Sequence, residues 1–305
     1  MAAPEALRRD FPLARLTTVR TGGRGEFFAR VGDTGQLLEL LAWADGAGLA
    51  VAVVGSGSNL LIADEGVPGL TLKLDGQLAE IAVEGQRIRC GGGARLPAVA
   101  ARAARAGLSG IEFGVNIPGT VGGAVRMNAN AYGGELAAVL EWVQIATASG
   151  LERRAPEQLG LEYRRSNIAA GEVVADASLK LLAADVEAVK ATLAEMRRRR
   201  HEAQPQGIRT FGATCKNPDD ARARGRSAGL LLAEAGCNGL QIGGARFAPN
   251  HANFIENTGT ASTADVLAVM AEGRRRVQER FGVTLEPEVQ VLGDVRFPWR
   301  SAGRG

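Results

Sequence analysis

The sequence is poor in the residues that build metal and disulfide scaffolds. Its two histidines, His201 and His251, stand far apart, so no imidazole cluster is available for zinc. The three cysteines (Cys90, Cys215, Cys237) are an odd number without paired spacing, which fits a reducing cytoplasm rather than a disulfide framework. No apolar stretch approaches the ~20 residues of a membrane span. The opening MAAPEALRRDFPLARL lacks the apolar core of a secretory signal. Lysine is scarce: four of the 36 basic residues are lysines (Lys73, Lys180, Lys190, Lys216), and 36 against 33 acidic residues leaves +3. A charge so small and diffuse excludes nucleic-acid binding as the main business. What remains, 46% hydrophobic and 23% charged over 305 residues, is an ordinary soluble composition with room for about two domains.

Elements alternate in kind, without internal repeats. Residues 25–31 read as a strand, and a helix follows from Thr34 to near Gly46 with Leu37, Leu38, Leu40 and Leu41 on a broad apolar face. Residues 51–54 form a short valine-rich run that suggests a buried strand. Residues 70–74 and 81–90 read as further strands, the latter turned at Glu84 and Gly85. An alanine-rich helix over 96–106 is stopped by Gly107. Strands are expected at 139–147, 173–182 and 283–292, and helices at 185–200 and 263–281. The run Arg197 to Arg200 reads as a solvated helix end whose cations favour the macrodipole.

Two glycine-rich stretches stand apart. Gly55, Ser56, Gly57, Ser58 and Asn59 follow an apolar strand, and Asp75 lies where a ribose ligand would in a dinucleotide fold. That fold is excluded, because the third glycine of its fingerprint falls at Leu60 and Gly66, Pro68 and Gly69 forbid the crossover helix. A phosphate-loop NTPase fails for want of the lysine and hydroxyl pair. The second stretch spans residues 107–134 and includes Ile117, Pro118, Gly119, Thr120, Gly122, Gly123 and Asn128. It cannot be regular throughout, and loops of that length usually serve function. Glycine lets backbone approach a flat ligand closely. Two such loops without a phosphate-loop lysine suggest a pyrophosphate-bearing cofactor held by main chain.

Eight segments in order carry a specific resemblance: TTVRTGG, VVGSGSNLLIADEGVPG, GIEFGVNIPGTVGGAVRMNANAYGGE, LEYRRSNI, TFGATCKNPDD, SAGLLLAEAGCNG, HANFIENTG and LEPEVQVLG. On these the chain resembles the UDP-N-acetylenolpyruvoylglucosamine reductase family, nearly end to end. The resemblance implies an α+β fold: a two-subdomain FAD-binding domain of the vanillyl-alcohol-oxidase type over residues 1–184, a smaller C-terminal α/β substrate-binding domain over 185–298, and a tail at 299–305. It implies non-covalent FAD, with residues 55–59 on the pyrophosphate and 117–128 near the flavin. It also implies NADPH as co-substrate, a UDP-sugar substrate, and a cytoplasmic monomer without nucleic-acid, membrane or metal partners. Rival readings are a same-fold flavin oxidoreductase with another substrate, and a catalytically impaired FAD-binding paralogue.

In that family's chemistry, hydride addition to the enolpyruvyl ether leaves negative charge on the carboxylate side, and a preorganised cation there lowers the barrier. Arg164 matches the family's arginine, and Glu288 its glutamate, with Glu286 the less favoured neighbour. On an extended segment Glu286 and Glu288 share one face, and Pro287 between them costs a ladder bond. Tyr163, Lys216, Asn217 and Asn253 are the candidate substrate contacts. The sequence departs from the family where a proton donor is needed. Ala213 replaces the usual serine or cysteine, Thr214 is expected to point away, and Cys215 stands on Ala213's side where an aromatic is usual. Cys215 or an ordered water is the expected substitute. Asn238 and Asn250 replace common lysines, and His251 is expected to pack.

Overall fold

The computed structural model describes residues 4, 7–205 and 207–299. The chain falls into two compact units, neither continuous in sequence. One comprises Glu26–Ser56 and Pro68–Glu202 with the N-terminal stretch to Phe11, and the other comprises Pro12–Gly25, Gly57–Val67 and the chain from Ala203 onward. The helix expected at 185–200 runs Val186–Ala203. It packs with the first unit through buried Val189 and Leu193 and half-buried Met196.

The first unit holds two sheets. A four-stranded sheet orders Arg8–Pro12, Arg24–Val31, Val67–Leu74 and Val51–Val53, the last pair parallel. The helix Thr34–Gly46 covers it, started by Asp33, whose carboxylate accepts from the Gln36 amide at 2.9 Å. An antiparallel five-stranded sheet orders Gly150–Arg154, Leu140–Thr147, Val173–Lys180, Arg87–Gly91 and Ile81–Glu84. The helix Leu96–Arg105 buries Leu96, Val99, Ala100, Ala103 and Ala104 against this sheet's core, an i, i+3, i+4 stripe.

The stretch over 107–134 is irregular as a whole, but contains a 3-10 turn, Glu112–Asn116, and one short helix, Val121–Arg126, started by Thr120. It hangs on the five-stranded sheet through a glycine triplet. The Gly92 amide donates to Ala175 O at 2.9 Å, and the Gly122 amide donates to Gly92 O at 2.8 Å. A Cβ on Gly92 would stand 1.8 Å from Val174 O.

The second unit has its own core. An antiparallel sheet orders Thr210–Ala213, His251–Asn257, Ala245–Ala248 and Gln241–Ile242. It packs with the helices Ala228–Glu234 and Thr263–Phe281 around Leu231, Phe247, Val266, Val269 and Val277. Gly273 lets the longer helix meet Phe247, whose ring would lie 2.7 Å from an added Cβ. The N-terminal segments complete this unit. Val19 and Leu61 join its core, Leu60–Ile62 pairs in parallel with Gln290–Leu292, and the Asp64 carboxylate accepts from the first amides of the long helix, Thr263 and Ala264, both at 2.9 Å.

Two expectations need correction here. The segment 283–292 is a strand only over Gln290–Leu292. Before it lies an isolated antiparallel bridge between Cys215 and Pro287, flanked by Lys216 N to Glu286 O and Glu288 N to Thr214 O, each 2.9 Å. Pro287 thus occupies the non-hydrogen-bonded position, where a missing N–H costs no ladder bond. The expected tail does not begin at 299: Trp299 packs on the second core and receives the Arg274 guanidinium over its ring at 5.4 Å. Residues 300–305 lie outside the described residues.

Gly92→Ala should destabilise the protein by about 3 kcal/mol or more, or prevent folding, since neither backbone can yield to a side chain there. Gly85→Ala, at a turn with positive φ and open space, should cost only about 1 kcal/mol, both read from denaturant midpoints.

Candidate functional site

In the first unit, Val54 donates to Leu72 O at 2.8 Å and ends the short strand, after which the chain turns at Gly55. A side chain on Gly55 would press on Thr120 Oγ1 at 2.5 Å, so glycine lets the two expected cofactor loops meet. Lys73, on the neighbouring strand, donates from Nζ to Gly55 O at 2.5 Å. Burial, then the charge of Arg30, holds its ammonium pKa below the usual lysine value. Sequence reasoning missed Lys73, because the cation arrives from the adjacent strand rather than within the loop. Its only signal was the rarity of lysine.

Gly119 and Gly123 are open: an added Cβ would find no chain atom nearer than 3.8 and 3.6 Å respectively. Thr120 sits opposite Arg95 in an isolated bridge with Leu96 N to Gly119 O and Val121 N to Ala94 O. That is a non-hydrogen-bonded position, so the Thr120 amide points away from the ladder. Unobstructed glycine backbone beside the outward Thr120 amide makes a surface that fits a flat, anionic cofactor. Gly122 does a different job, its amide tied to Gly92. Asn128 is also committed inward: buried, at φ 37°, its Oδ1 accepts from Ala137 N at 3.1 Å and its Nδ2 reaches Glu162 O at 3.4 Å.

Tyr163 and Arg164 form a two-residue turn closed by the mutual hydrogen bonds of Glu162 and Arg165. Arg164 adopts φ 58°, a left-handed conformation that costs a non-glycine residue about 1–2 kcal/mol. Its Nη1 donates to Asn130 O at 3.3 Å, and its guanidinium stands 5.3 Å from the Tyr163 ring centre. Tyr163 is 53% exposed. Strain of this kind persists only where the surrounding structure fixes it.

In the second unit, Gly57 has φ 63°, and a Cβ there would lie 2.1 Å from Leu16 O. Thr18 donates to Gly57 O through both N (3.0 Å) and Oγ1 (3.1 Å). The TTVRTGG segment is therefore the seat of this loop. Ser56 and Ser58 are half-buried. Asn59 joins the loop to the segment of Glu288: Nδ2 donates to Glu288 O at 3.3 Å, and Asn59 O accepts from Gln290 N at 3.1 Å. The structure thus brings an expected cofactor residue beside the expected catalytic glutamate.

Gly212, at φ 85°, marks an irregularity in the pairing between Thr210 and Ala213. Ala213 pairs with Phe254. Cys215 belongs to the apolar core, and burial and then the charge of Glu288 push its thiol up to about 12. Thr214 between them is wholly buried, its hydroxyl without a hydrogen-bond partner among the described residues. Asn253 brackets Cys215 with its whole amide, Oδ1 accepting from Cys215 N and Nδ2 donating to Cys215 O, both at 2.9 Å. It is a brace that fixes the segment carrying Lys216 and Asn217. Lys216 is half-buried, and Asn217 Oδ1 accepts from Ala228 N at 3.1 Å at the start of a helix. His251 packs edge-on against Phe254 at 4.8 Å, and burial lowers its pKa. Asn238 donates to Pro249 O at 2.7 Å, and Asn250 is exposed. Among the described residues no acidic, histidine or cysteine group could hold a metal, and no helix is long and apolar enough to cross a membrane.

Main-chain surfaces of this kind suit a pyrophosphate-bearing cofactor, and residues 26–155 match the family model of the FAD binding domain, which makes this a flavin-binding protein. Residues 204–292 match that of the UDP-N-acetylenolpyruvoylglucosamine reductase C-terminal domain. UDP-N-acetylenolpyruvoylglucosamine reductase 2 of Symbiobacterium thermophilum is 41% identical over 298 residues, covering 97% of this chain and 94% of its own. The reductase of Paramagnetospirillum magneticum is 42% identical over 285 residues, covering 93% and 91%. The crystal structure of the Thermus caldophilus enzyme superposes with a TM-score of 0.81 at 36% identity, covering 94% of this chain and 99% of that one. The chain belongs to the UDP-N-acetylenolpyruvoylglucosamine reductase family. Its fold is an α+β arrangement of an FAD-binding domain and a smaller C-terminal domain of that family.

Arg164→Gly should leave stability within about 1 kcal/mol of wild type, because relief of the turn offsets the lost contacts and glycine's entropy. Arg164→Val, branched at Cβ in the same conformation, should cost clearly more in the same melt. With Cys90 and Cys215 pushed to about 12 and Cys237 to about 11, chiefly by burial, the folded protein should show no thiolate reactive toward a disulfide reagent at pH 8. Three thiols should titrate after denaturation.

Proposed function

We propose that this chain is an NADPH-dependent reductase that converts the enolpyruvyl ether of UDP-N-acetylglucosamine to UDP-N-acetylmuramate, a peptidoglycan precursor. The observation that carries the reading is a match sustained over 97% of the chain in which Arg164 stands at a strained turn tip. FAD, when bound, supplies two-electron transfer from NADPH to the ether double bond. Residues 55–59 would hold its pyrophosphate, with Lys73 stiffening that loop, and the backbone of Gly119, Thr120 and Gly123 would receive its ring system.

The chain's own groups handle charge and protons. Arg164 meets the substrate carboxylate and stabilises the negative charge that builds there as the double bond is reduced; a preorganised cation of this kind is worth a factor of about 10²–10³ in rate. Glu288 assists the same enolate. Tyr163, Lys216 and Asn217 contact the sugar nucleotide, and Asn253 serves them by bracing Cys215. The last proton cannot come from Ala213. We assign it to a water beside Ala213, since the Cys215 thiol is committed to the core.

We propose 184/185 as the boundary between the two spans that match family models, with the helix Val186–Ala203 beyond it belonging by its packing to the first unit. The enzyme is read as a cytoplasmic monomer.

An anaerobic half-reaction tests this. The yellow protein is reduced with NADPH, the enolpyruvyl UDP-sugar is added, and return of the oxidised flavin band is followed. Return of the band is the expected result; bleaching without return would favour an impaired paralogue or another acceptor. Cys215→Ala should leave the rate of return unchanged, and Ala213→Ser should raise it about tenfold or more, within the range of a positioned acid. A slowed Cys215→Ala would move the donor role to the thiol.

A further inference from the structure

We propose that Arg200 is a positioning residue, clamping the loop that begins at Ile117 into the shape that accepts the cofactor; this rests on the flavin reading above. The run Arg197 to Arg200 does not behave as one solvated helix end. Arg198 and Arg199 pair with Glu195 and Glu202 on the exposed face at 2.6–2.8 Å, and Arg197 is exposed. Arg200 turns inward. It continues the stripe Val189, Leu193, Met196, each step three or four residues on, which is the face the helix buries.

At the end of that stripe the helix and the loop exchange hydrogen bonds. Arg200 Nη1 donates to Asn116 O, and Asn116 Nδ2 donates to Met196 O at 2.7 Å. Met196 and Arg200 are one turn apart, so a single turn of helix grips a single residue from both sides. Asn116 is only 8% exposed. It is the last residue of the 3-10 turn packed on the helix Leu96–Arg105 and stands immediately before Ile117. Its Nδ2 also lies 3.1 Å from the Tyr132 hydroxyl. Tyr132 and Gly133 form the two-residue turn between Asn130–Ala131 and Gly134–Glu135, both at positive φ, and Asn130 O holds Arg164. One amide therefore joins the helix to the loop bearing Gly119 and Gly123 and to the hairpin that carries Arg164's acceptor. Burial lowers the Arg200 pKa, with Tyr132 opposing, yet a guanidinium stays charged at any physiological pH. The donor is permanent, which suits a clamp and not a switch.

The test uses full-length protein stripped of flavin. FAD is titrated back by fluorescence quenching, and hydrogen exchange is followed over residues 111–123 of the flavin-free form. Arg200→Met, which keeps the stem and removes the donors, should weaken FAD binding about tenfold or more and speed exchange in that segment. Arg200→Lys, with one fixed cation, should fall between. Arg200→Met with Asn116→Ala should be no worse than the weaker single variant, as expected of partners in one contact. Wild-type FAD affinity in Arg200→Met, or wild-type exchange, would overturn the clamp: the first makes the contact merely structural, the second leaves the loop independent of it. Wild-type protein that takes up no FAD would instead overturn the flavin reading itself.

Discussion

The first unit depends on backbone passing against backbone at Gly92. Its amide is held by one strand of the five-stranded sheet, its carbonyl holds the Gly122 amide, and the Val174 carbonyl fills the space where a side chain would stand. Any side chain at that point would lift the helix Val121–Arg126 from the sheet, and with it the loop of Gly119 and Gly123. The loop expected to meet the cofactor is consequently built on sheet geometry, although its own residues are irregular. Irregular backbone can be held to the tolerance a reaction needs when its hydrogen bonds end on a regular ladder.

This explains why glycines that look alike in the sequence do opposite things. Gly57 and Gly92 are glycine because protein fills the place of their side chain. Gly119 and Gly123 are glycine with nothing of the chain in that place. The difference lies in what comes near, and composition alone cannot report it. The strained Arg164 belongs to a third case, in which a position suited to glycine holds a charged side chain instead. The chain tolerates that cost at a residue held on the tip of a two-residue turn.

Helices were legible wherever an apolar stripe and a cap coincided, as at Thr34–Gly46 and Thr263–Phe281. The short helix and 3-10 turn inside 107–134 were hidden by glycine, because tertiary hydrogen bonds override weak local propensity there. The sheet of the second unit was missed because strands such as Gln241–Ile242 and Ala245–Ala248 are too short to show a period. Of the candidate site, the glycine loops were legible from their composition, and Arg164 only through the family resemblance. Lys73 was not, since it acts from an adjacent strand, and Asn253 could not be told apart as a brace until its two hydrogen bonds to Cys215 were seen. The inward turn of Arg200 was in principle readable, for its spacing from Val189, Leu193 and Met196 places it on the buried face. A run of four like residues disguised it.

The second unit is assembled from three separated lengths of chain. Its core needs Val19 and Leu61, its last strand needs Leu60–Ile62, and its longest helix starts on Asp64. During synthesis these early segments must wait for partners about two hundred residues downstream. Closing so long a loop is entropically slow, so the first unit can settle on the ribosome while the second completes only near the end of translation. The span 204–292, cut out by itself, would carry an exposed strand edge and an unfilled core. Sequence continuity and the cooperative folding unit part company here: the order in which the chain emerges differs from the order in which it becomes rigid.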